Sequence, residues 1–140
     1  MITQDWLNGY RFYKKVVETL QLRLSAALSD SIRITSQPKD VAVQSSRGNS
    51  TEDRNIQYIS KTEAISNQIT EYRGYMSDIE AAVNSVGNPK YRLLLRLRYI
   101  DGESWESVAE VMGMSEKWVR EDLNFRAIRE LERCTKKQSG

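Results

Sequence analysis

The sequence predicts an all-α fold, in which long helices with a heptad pattern precede a C-terminal helix-turn-helix. Proline, the residue that breaks helices most strongly, occurs only at Pro38 and Pro89. Apolar residues recur at alternating spacings of four and three through two long segments, which places them on one helix face. The last third of the chain contains two short helix patterns that are separated by a tight turn.

Composition argues against several classes of protein. No apolar run approaches the ~20 residues that a membrane span needs, and the N-terminus has no apolar signal core. We therefore expect a cytoplasmic protein with no membrane partner. Histidine is absent and Cys134 is the single cysteine, which argues against a zinc site or an internal disulfide. Since no phosphate-binding glycine motif and no convergent acid, base and nucleophile are evident, we expect neither enzymatic activity nor a cofactor.

Charge is nearly balanced, with 21 Lys and Arg against 19 Asp and Glu, a net charge of +2. Residues 1–87 contain ten of each sign, so residues 88–140 contain eleven basic and nine acidic residues. The excess therefore lies in the C-terminal part. It is a weak signal for nucleic acid, because a clustered basic patch is the usual footprint.

The first element predicted is an amphipathic helix over residues 1–29. Its apolar face consists of Trp6, Tyr10, Tyr13, Val17, Leu20, Leu24 and Ala27. Residues 30–55 break this pattern with Pro38, Gly48 and a cluster of Ser and Asn, and predict a polar connection with room for an extended piece around Val41–Val43.

The second element predicted is a long heptad helix over residues 51–87, for assembly. Its stripe is Tyr58, Thr62, Ile65, Ile69, Tyr72, Met76, Ile79, Val83 and Val86. Gly87 is a suitable residue just past its end. Such a stripe fits either an antiparallel helical hairpin within one chain or a coiled coil between chains. Both interpretations stay open, and a homo-oligomer through the heptad helices is an expected partner.

Residues 88–140 predict the helix-turn-helix domain. Asn88-Pro89 starts a helix that carries Arg92, Arg96 and Arg98 on a basic face, and Asp101-Gly102 ends it with a turn. Its apolar residues are Leu93, Leu94, Leu97, Tyr99 and Ile100.

Two further helices complete this domain. Ser104 is expected to cap a helix with Trp105, Val108, Ala109 and Met112 on its apolar face, and Ser115 to cap the last helix, residues 116–133. The buried side of the last helix is predicted to hold Val119, Leu123, Ala127 and Leu131. Ala109 is small enough for the two helices to cross closely. Gly113 permits the sharp reversal of the chain between them, and Val119 fills the angle between the two helices. This combination is typical of a helix-turn-helix, whose second helix enters the DNA major groove.

The candidate DNA contacts follow from that geometry. Lys117 and Arg120 are suited to guanine, Glu121 to a cytosine amino group and Asn124 to adenine, with Ser115 at the start of the same helix. For phosphates, the candidates are the helix N-terminus at Ser104 and the side chains of Arg92 and Arg96. The alternative for each residue is a solvated face, with Glu116–Arg120 and Arg120–Asn124 as ordinary i, i+4 neighbours.

The C-terminal residues resemble region four of bacterial sigma factors and, more closely, small phage-encoded regulators of the ArpU/RinA type. The similar positions are Arg98-Tyr99-Ile100, Gly102, Ser104-Trp105-Glu106, Ala109, Met112, Ser115 and Trp118-Val119, with WLNGYRFY and SSRGNSTED nearer the N-terminus. The resemblance implies a transcription regulator of phage late or packaging genes that acts in the host cytoplasm. One departure is Asp122, three residues after the valine, where this group usually has an apolar residue. We therefore expect the outward face after Arg120 to be rotated.

The function predicted from these observations is sequence-specific binding of double-stranded DNA by a transcription regulator. One alternative is a small terminase-type DNA-packaging subunit, which would join a helix-turn-helix to ring-forming helices. A second alternative is a protein-interaction module that docks on RNA polymerase, with DNA secondary. Oligomer size distinguishes a terminase-type subunit from a transcription regulator. Substitution of Lys117 and Arg120 distinguishes a docking module from a DNA-binding regulator.

Overall fold

The structure is a computed structural model that describes the backbone of residues 3–35 and 48–139 and the side chains of residues 3–29 and 56–136. Regular structure in these ranges is helical throughout, which confirms the all-α prediction. The α-helices are α1 (Thr3–Thr35), α2 (Gly48–Ser85), α3 (Pro89–Leu95), α4 (Trp105–Met112) and α5 (Asn124–Ser139). Two π-helical segments, Arg96–Ile100 and Trp118–Leu123, follow α3 and precede α5.

Both long helices extend into the predicted polar connection, residues 30–55, whose last five residues also belong to the helix predicted over residues 51–87. Helix α1 continues through Thr35 and α2 begins at Gly48, so residues 30–35 and 48–55 are helical. Polar composition favoured a loop there, but Ser, Thr and Asp are only mildly unfavourable inside a helix. The stretch from residue 30 to Pro38 has no glycine or proline that would stop α1. The extended piece predicted around Val41–Val43 lies outside the described residues.

The chain divides into two compact units. The smaller unit is Lys15–Tyr72, and the larger unit joins Met1–Lys14 to Arg73–Gly140. In the smaller unit, the buried residues are Val17 and Leu20 of α1 with Ile65 and Ile69 of α2. All four belong to the predicted stripes. These side chains are covered by the chain's own helices, as in a helical hairpin.

In the larger unit, the start of α1 pairs with the end of α2 in the antiparallel sense. The Tyr10 hydroxyl donates a hydrogen bond of 2.7 Å to Oε1 of Glu80, and the rings of Tyr13 and Tyr75 lie 5.3 Å apart. Burial, reinforced by the neighbouring Glu80 carboxylate, raises the pKa of Tyr10 to about 12. The Tyr10 hydroxyl therefore stays protonated as a donor over the physiological pH range.

A single apolar core organises the larger unit. Helix α1 contributes Leu7, which is fully buried, whereas the predicted stripe residue Trp6 only packs at the edge of the core. The remaining core residues are Tyr10, Ile79, Ala82, Val83, Val86, Leu94, Leu95, Tyr99, Ile100, Val108, Ala109, Val119, Leu123, Ala127 and Leu131. This core contains all four residues that were predicted for the buried side of the last helix.

The turn between α4 and the last helix has the predicted geometry. Gly113 adopts the left-handed conformation, with φ 68° and ψ 34°, and the Met114 N–H closes the end of α4 by donating to the Ala109 carbonyl at 3.1 Å. The Ser104 hydroxyl accepts from the Ser107 N–H at 3.1 Å. The Ser115 hydroxyl accepts from the Trp118 N–H at 3.2 Å. Both predicted serine caps are therefore confirmed.

The π-helical segment Trp118–Leu123 changes which residues of the last helix face inward. The Asn124 N–H donates to the Val119 carbonyl, five residues earlier, so Asn124 lies one wide turn beyond a core residue. Its side chain is only 7 % exposed. Its Oδ1 accepts a 2.8 Å hydrogen bond from the Tyr99 hydroxyl, and burial raises the pKa of Tyr99.

We predict that Tyr99→Phe lowers the free energy of unfolding by about 1–3 kcal/mol, because it leaves the buried Asn124 oxygen without its donor. Urea unfolding followed by circular dichroism measures this change. Tyr91→Phe is the matched control, since Tyr91 is only half-buried, and it is expected to change stability by less than about 0.5 kcal/mol. Equal effects of the two substitutions would show that the buried hydrogen bond contributes nothing specific.

Gly113→Ala and Gly74→Ala are predicted to change stability in opposite directions. An added Cβ meets nothing within 4 Å at either position. Alanine at the left-handed Gly113 therefore costs about 1 kcal/mol through backbone conformation alone. Gly74 lies inside α2, where alanine gains roughly 0.5–1 kcal/mol over glycine. Unfolding midpoints that move in the same direction would contradict this account of the turn.

Candidate nucleic-acid interface

The last helix, residues 116–133, is the candidate recognition helix, and its start presents at the surface the side chains that were predicted to contact bases. Lys117, Arg120 and Glu121 are exposed, and so is Ser115 at the cap. Val119 and Leu123, which alternate with them, are buried in the core. The anchored apolar residues therefore determine the direction of the polar ones.

Arg120 is held by two carboxylates of its own helix. Its Nη1 lies 2.7 Å from Oε1 of Glu116, and its Nη2 lies 3.9 Å from Oε1 of Glu121. The i, i+4 pair with Glu116 that was the alternative to DNA contact is therefore formed. All three side chains are 40 % exposed or more, and exposed pairs contribute only about 0–1 kcal/mol. The pairing orients Arg120 without preventing a stronger contact.

Asn124 was wrongly predicted to be exposed. A continuous α-helix would place it on the face of Arg120, but the π-helical segment turns it into the core against Tyr99. It is therefore withdrawn from the candidate base contacts. The rotation expected after Arg120 from the position of Asp122 is confirmed.

The three predicted phosphate contacts differ in availability. Arg92 is half-buried and donates to the Val86 carbonyl at 3.2 Å, so it ties α3 to the end of α2. Arg96 is exposed. At Ser104, the cap is formed and Glu103 accepts a hydrogen bond of 2.9 Å from the Ser107 hydroxyl. Glu106 also lies in the first turn of α4, so this helix N-terminus already has negative charge beside it.

The charges of the helix-turn-helix domain are segregated along the chain. Residues 101–122 contain seven Asp and Glu against two Lys and Arg, a net charge of −5. Residues 123–140 contain five basic and two acidic residues, a net charge of +3. The turn and the start of the last helix are thus acidic, and the cations of the domain are concentrated in the remainder of that helix.

Exposed aromatic rings and arginines share the outer surface of α5 and of the π-helical segment before it. The Arg126 guanidinium lies 5.4 Å from the centre of the Trp118 ring, and that of Arg129 lies 5.6 Å from the Phe125 ring. Trp118 is 39 % exposed and Phe125 is 59 % exposed. Sequence reasoning predicted none of Phe125, Arg126 and Arg129 as site residues, although a count of charge by segment would have pointed to them.

An open groove of about 810 Å³ runs along the same surface. Tyr91 of α3 forms one side and α5 the other. The groove is lined by Tyr91, Asp122, Phe125, Arg126, Arg129, Glu130, Glu132, Arg133 and Lys136.

Two further findings concern other kinds of site. In the part of the chain that the structure describes, His, Cys, Asp and Glu side chains form no group of three or more that is suited to hold a metal ion. None of the described helices combines the length and the apolar character that crossing a membrane requires.

Comparison with known proteins places the chain in a family. No curated protein and no solved structure matches it. The family model for proteins of unknown function DUF1492 matches residues 34–132. This range is more than half of the chain, and it includes the helix-turn-helix and every predicted site residue. The chain therefore belongs to the DUF1492 family of proteins of unknown function.

Proposed function

We propose that this protein is a sequence-specific regulator of transcription that binds double-stranded DNA with its recognition helix. The observation that carries the proposal is the helix-turn-helix itself. Two serine caps and the left-handed Gly113 fix the turn, and the packed Val119 directs Lys117 and Arg120 outward. An exposed second helix that follows a tight turn is the arrangement with which helix-turn-helix proteins enter the major groove.

The exposed side chains have suitable chemistry for base edges. Arginine and lysine pair with guanine O6 and N7, and a glutamate accepts from the cytosine amino group. Arg120, Lys117 and Glu121 lie within one and a half turns of the helix start. Arg120 exchanges its weak contact with Glu116 for a bidentate contact with a base, which is the stronger kind of hydrogen bond.

The biological setting follows from resemblance. Similarity to ArpU/RinA-type regulators supports a phage or prophage gene product that acts on late or packaging genes in the bacterial cytoplasm. The homo-oligomer stays a prediction. Five residues of the stripe that suggested it are buried within the chain, and the other four are partly exposed. The smaller unit exposes Leu22, Leu28, Ile56 and Ile59.

A specific observation favours one alternative, docking on RNA polymerase or another protein. The net charge of −5 on residues 101–122 repels phosphate and suits a basic protein surface. Under this alternative, removal of the two cations at the start of the recognition helix leaves function intact. The terminase-type alternative requires a ring, and sedimentation of the purified protein distinguishes a ring from a monomer or dimer.

The proposal predicts that Lys117→Ala/Arg120→Ala strongly reduces the preference for the cognate DNA. Each lost base contact weakens specific binding by about 1–3 kcal/mol. Fluorescence anisotropy with a duplex from around the protein's own gene and a scrambled duplex, at two salt concentrations, measures the preference. Lys14→Ala/Arg23→Ala removes equal charge from the exposed surface of α1 and is expected to leave it unchanged. Wild-type protein with no preference at either salt would overturn the proposal.

A further inference from the structure

We infer that the outer surface of α5 is a second DNA contact, which binds the phosphate backbone while the start of the recognition helix reads bases. We call this surface, formed by Phe125, Arg126, Arg129 and Arg133, the α5 surface. The inference rests on the proposed function, since it assigns the source of affinity in the same complex. The α5 surface takes the place of two predicted contacts, the helix N-terminus at Ser104 and the side chain of Arg92, as the main phosphate contact.

The need for such a surface follows from charge. Phosphate contacts by cations supply most of the affinity of DNA-binding proteins for any sequence. Residues 101–122, which include the turn and the base-reading side chains, have a net charge of −5. These residues cannot supply that attraction. Residues 123–140 have a net charge of +3, and their arginines lie on the same helix as the base-reading residues.

The position of these arginines along the helix fits the backbone of the duplex. At 1.5 Å per residue, Arg126 lies about 14 Å and Arg133 about 24 Å beyond Lys117. The major groove is about 12 Å wide. With Lys117 against the bases, the arginines extend past the edge of the groove, where the phosphates are. Arg126, Arg129 and Arg133 are exposed, whereas Ala127 and Leu131, which alternate with them along the helix, are buried.

The contacts of these arginines leave their hydrogen-bond donors available. Arg126 and Arg129 lie over the faces of Trp118 and Phe125. A ring attracts the guanidinium through its π-face and engages no lone-pair acceptor. By contrast, Arg92 donates to the Val86 carbonyl. Arg133 pairs with Glu130 at 2.7 Å, with the arginine side chain 66 % exposed, so this contact is easily exchanged.

The acidic residues of the same groove limit the attraction. Asp122, Glu130 and Glu132 line it together with the cations. Their charge lowers affinity for phosphate in general, so the α5 surface adds only a moderate affinity, and it does so for any duplex sequence. A basic surface of this kind also suits an acidic protein segment. The salt dependence of DNA binding distinguishes that partner from DNA.

The test measures the salt dependence of DNA binding by the full-length protein. Arg126→Gln/Arg129→Gln removes two cations, so the slope of log Kobs against log salt should become shallower by about 1.8. Affinity for a scrambled duplex should fall by the same factor as affinity for the cognate duplex. The preference between them should not change. Lys117→Ala/Arg120→Ala should reduce the preference, and Lys14→Gln/Arg23→Gln should alter neither quantity.

A second variant separates a binding role from a folding role. Arg126→Lys/Arg129→Lys keeps both charges but removes the planar fork, so it should keep the slope and weaken binding of both duplexes. An unchanged slope in Arg126→Gln/Arg129→Gln, with DNA binding retained, would overturn the inference and leave the proposed function standing. Loss of binding to an acidic protein with unchanged DNA binding would also overturn it. The slope of log Kobs against log salt can be measured with scrambled DNA alone. Absence of sequence preference therefore overturns only the proposed function and leaves this inference standing.

Discussion

The buried hydrogen bond between Tyr99 and Asn124 constrains the geometry of the larger unit. The donor follows α3 in one π-helical segment, and the acceptor comes directly after the other. Each group, left buried without its partner, would cost about 1–3 kcal/mol. The two segments therefore have one favourable register, and that register determines which side chains of the recognition helix face outward.

The π-helical segment also reconciles the four-residue spacing of the buried residues with the 3.6-residue turn of a regular helix. Val119, Leu123, Ala127 and Leu131 recur every four residues, a spacing that drifts around a helix of 3.6 residues per turn. One wide turn between Trp118 and Leu123 takes up part of this drift. All four residues then reach the core. The consequence is that Asn124 is buried and the exposed arginines continue along the outer side.

Much of the fold was predictable because it depends on local chemistry. Alternating spacings of apolar residues identified the helical stripes, and Ser104, Gly113 and Ser115 identified the turn. The burial of Asn124 was not predictable, since it involves a π-helical turn and a hydrogen bond from a tyrosine 25 residues earlier. The hydrogen bond from Arg92 to the Val86 carbonyl was not predictable either, because the turn at Asn88-Pro89 brings the two residues together.

Under the proposed function, the segregation of charge gives the domain a physical basis for selectivity between DNA sequences. An acidic turn beside the base-reading residues opposes binding to an arbitrary phosphate backbone, and nonspecific affinity arises almost entirely from such contacts. In the proposed complex, base contacts then decide between sequences, since each contributes about 1–3 kcal/mol. Cations on α5 would add affinity for any duplex, and the acidic turn would keep that affinity low. A domain with these two sets of contacts would gain discrimination at the expense of tight binding to random DNA, because its nonspecific affinity is weak while its base contacts are specific.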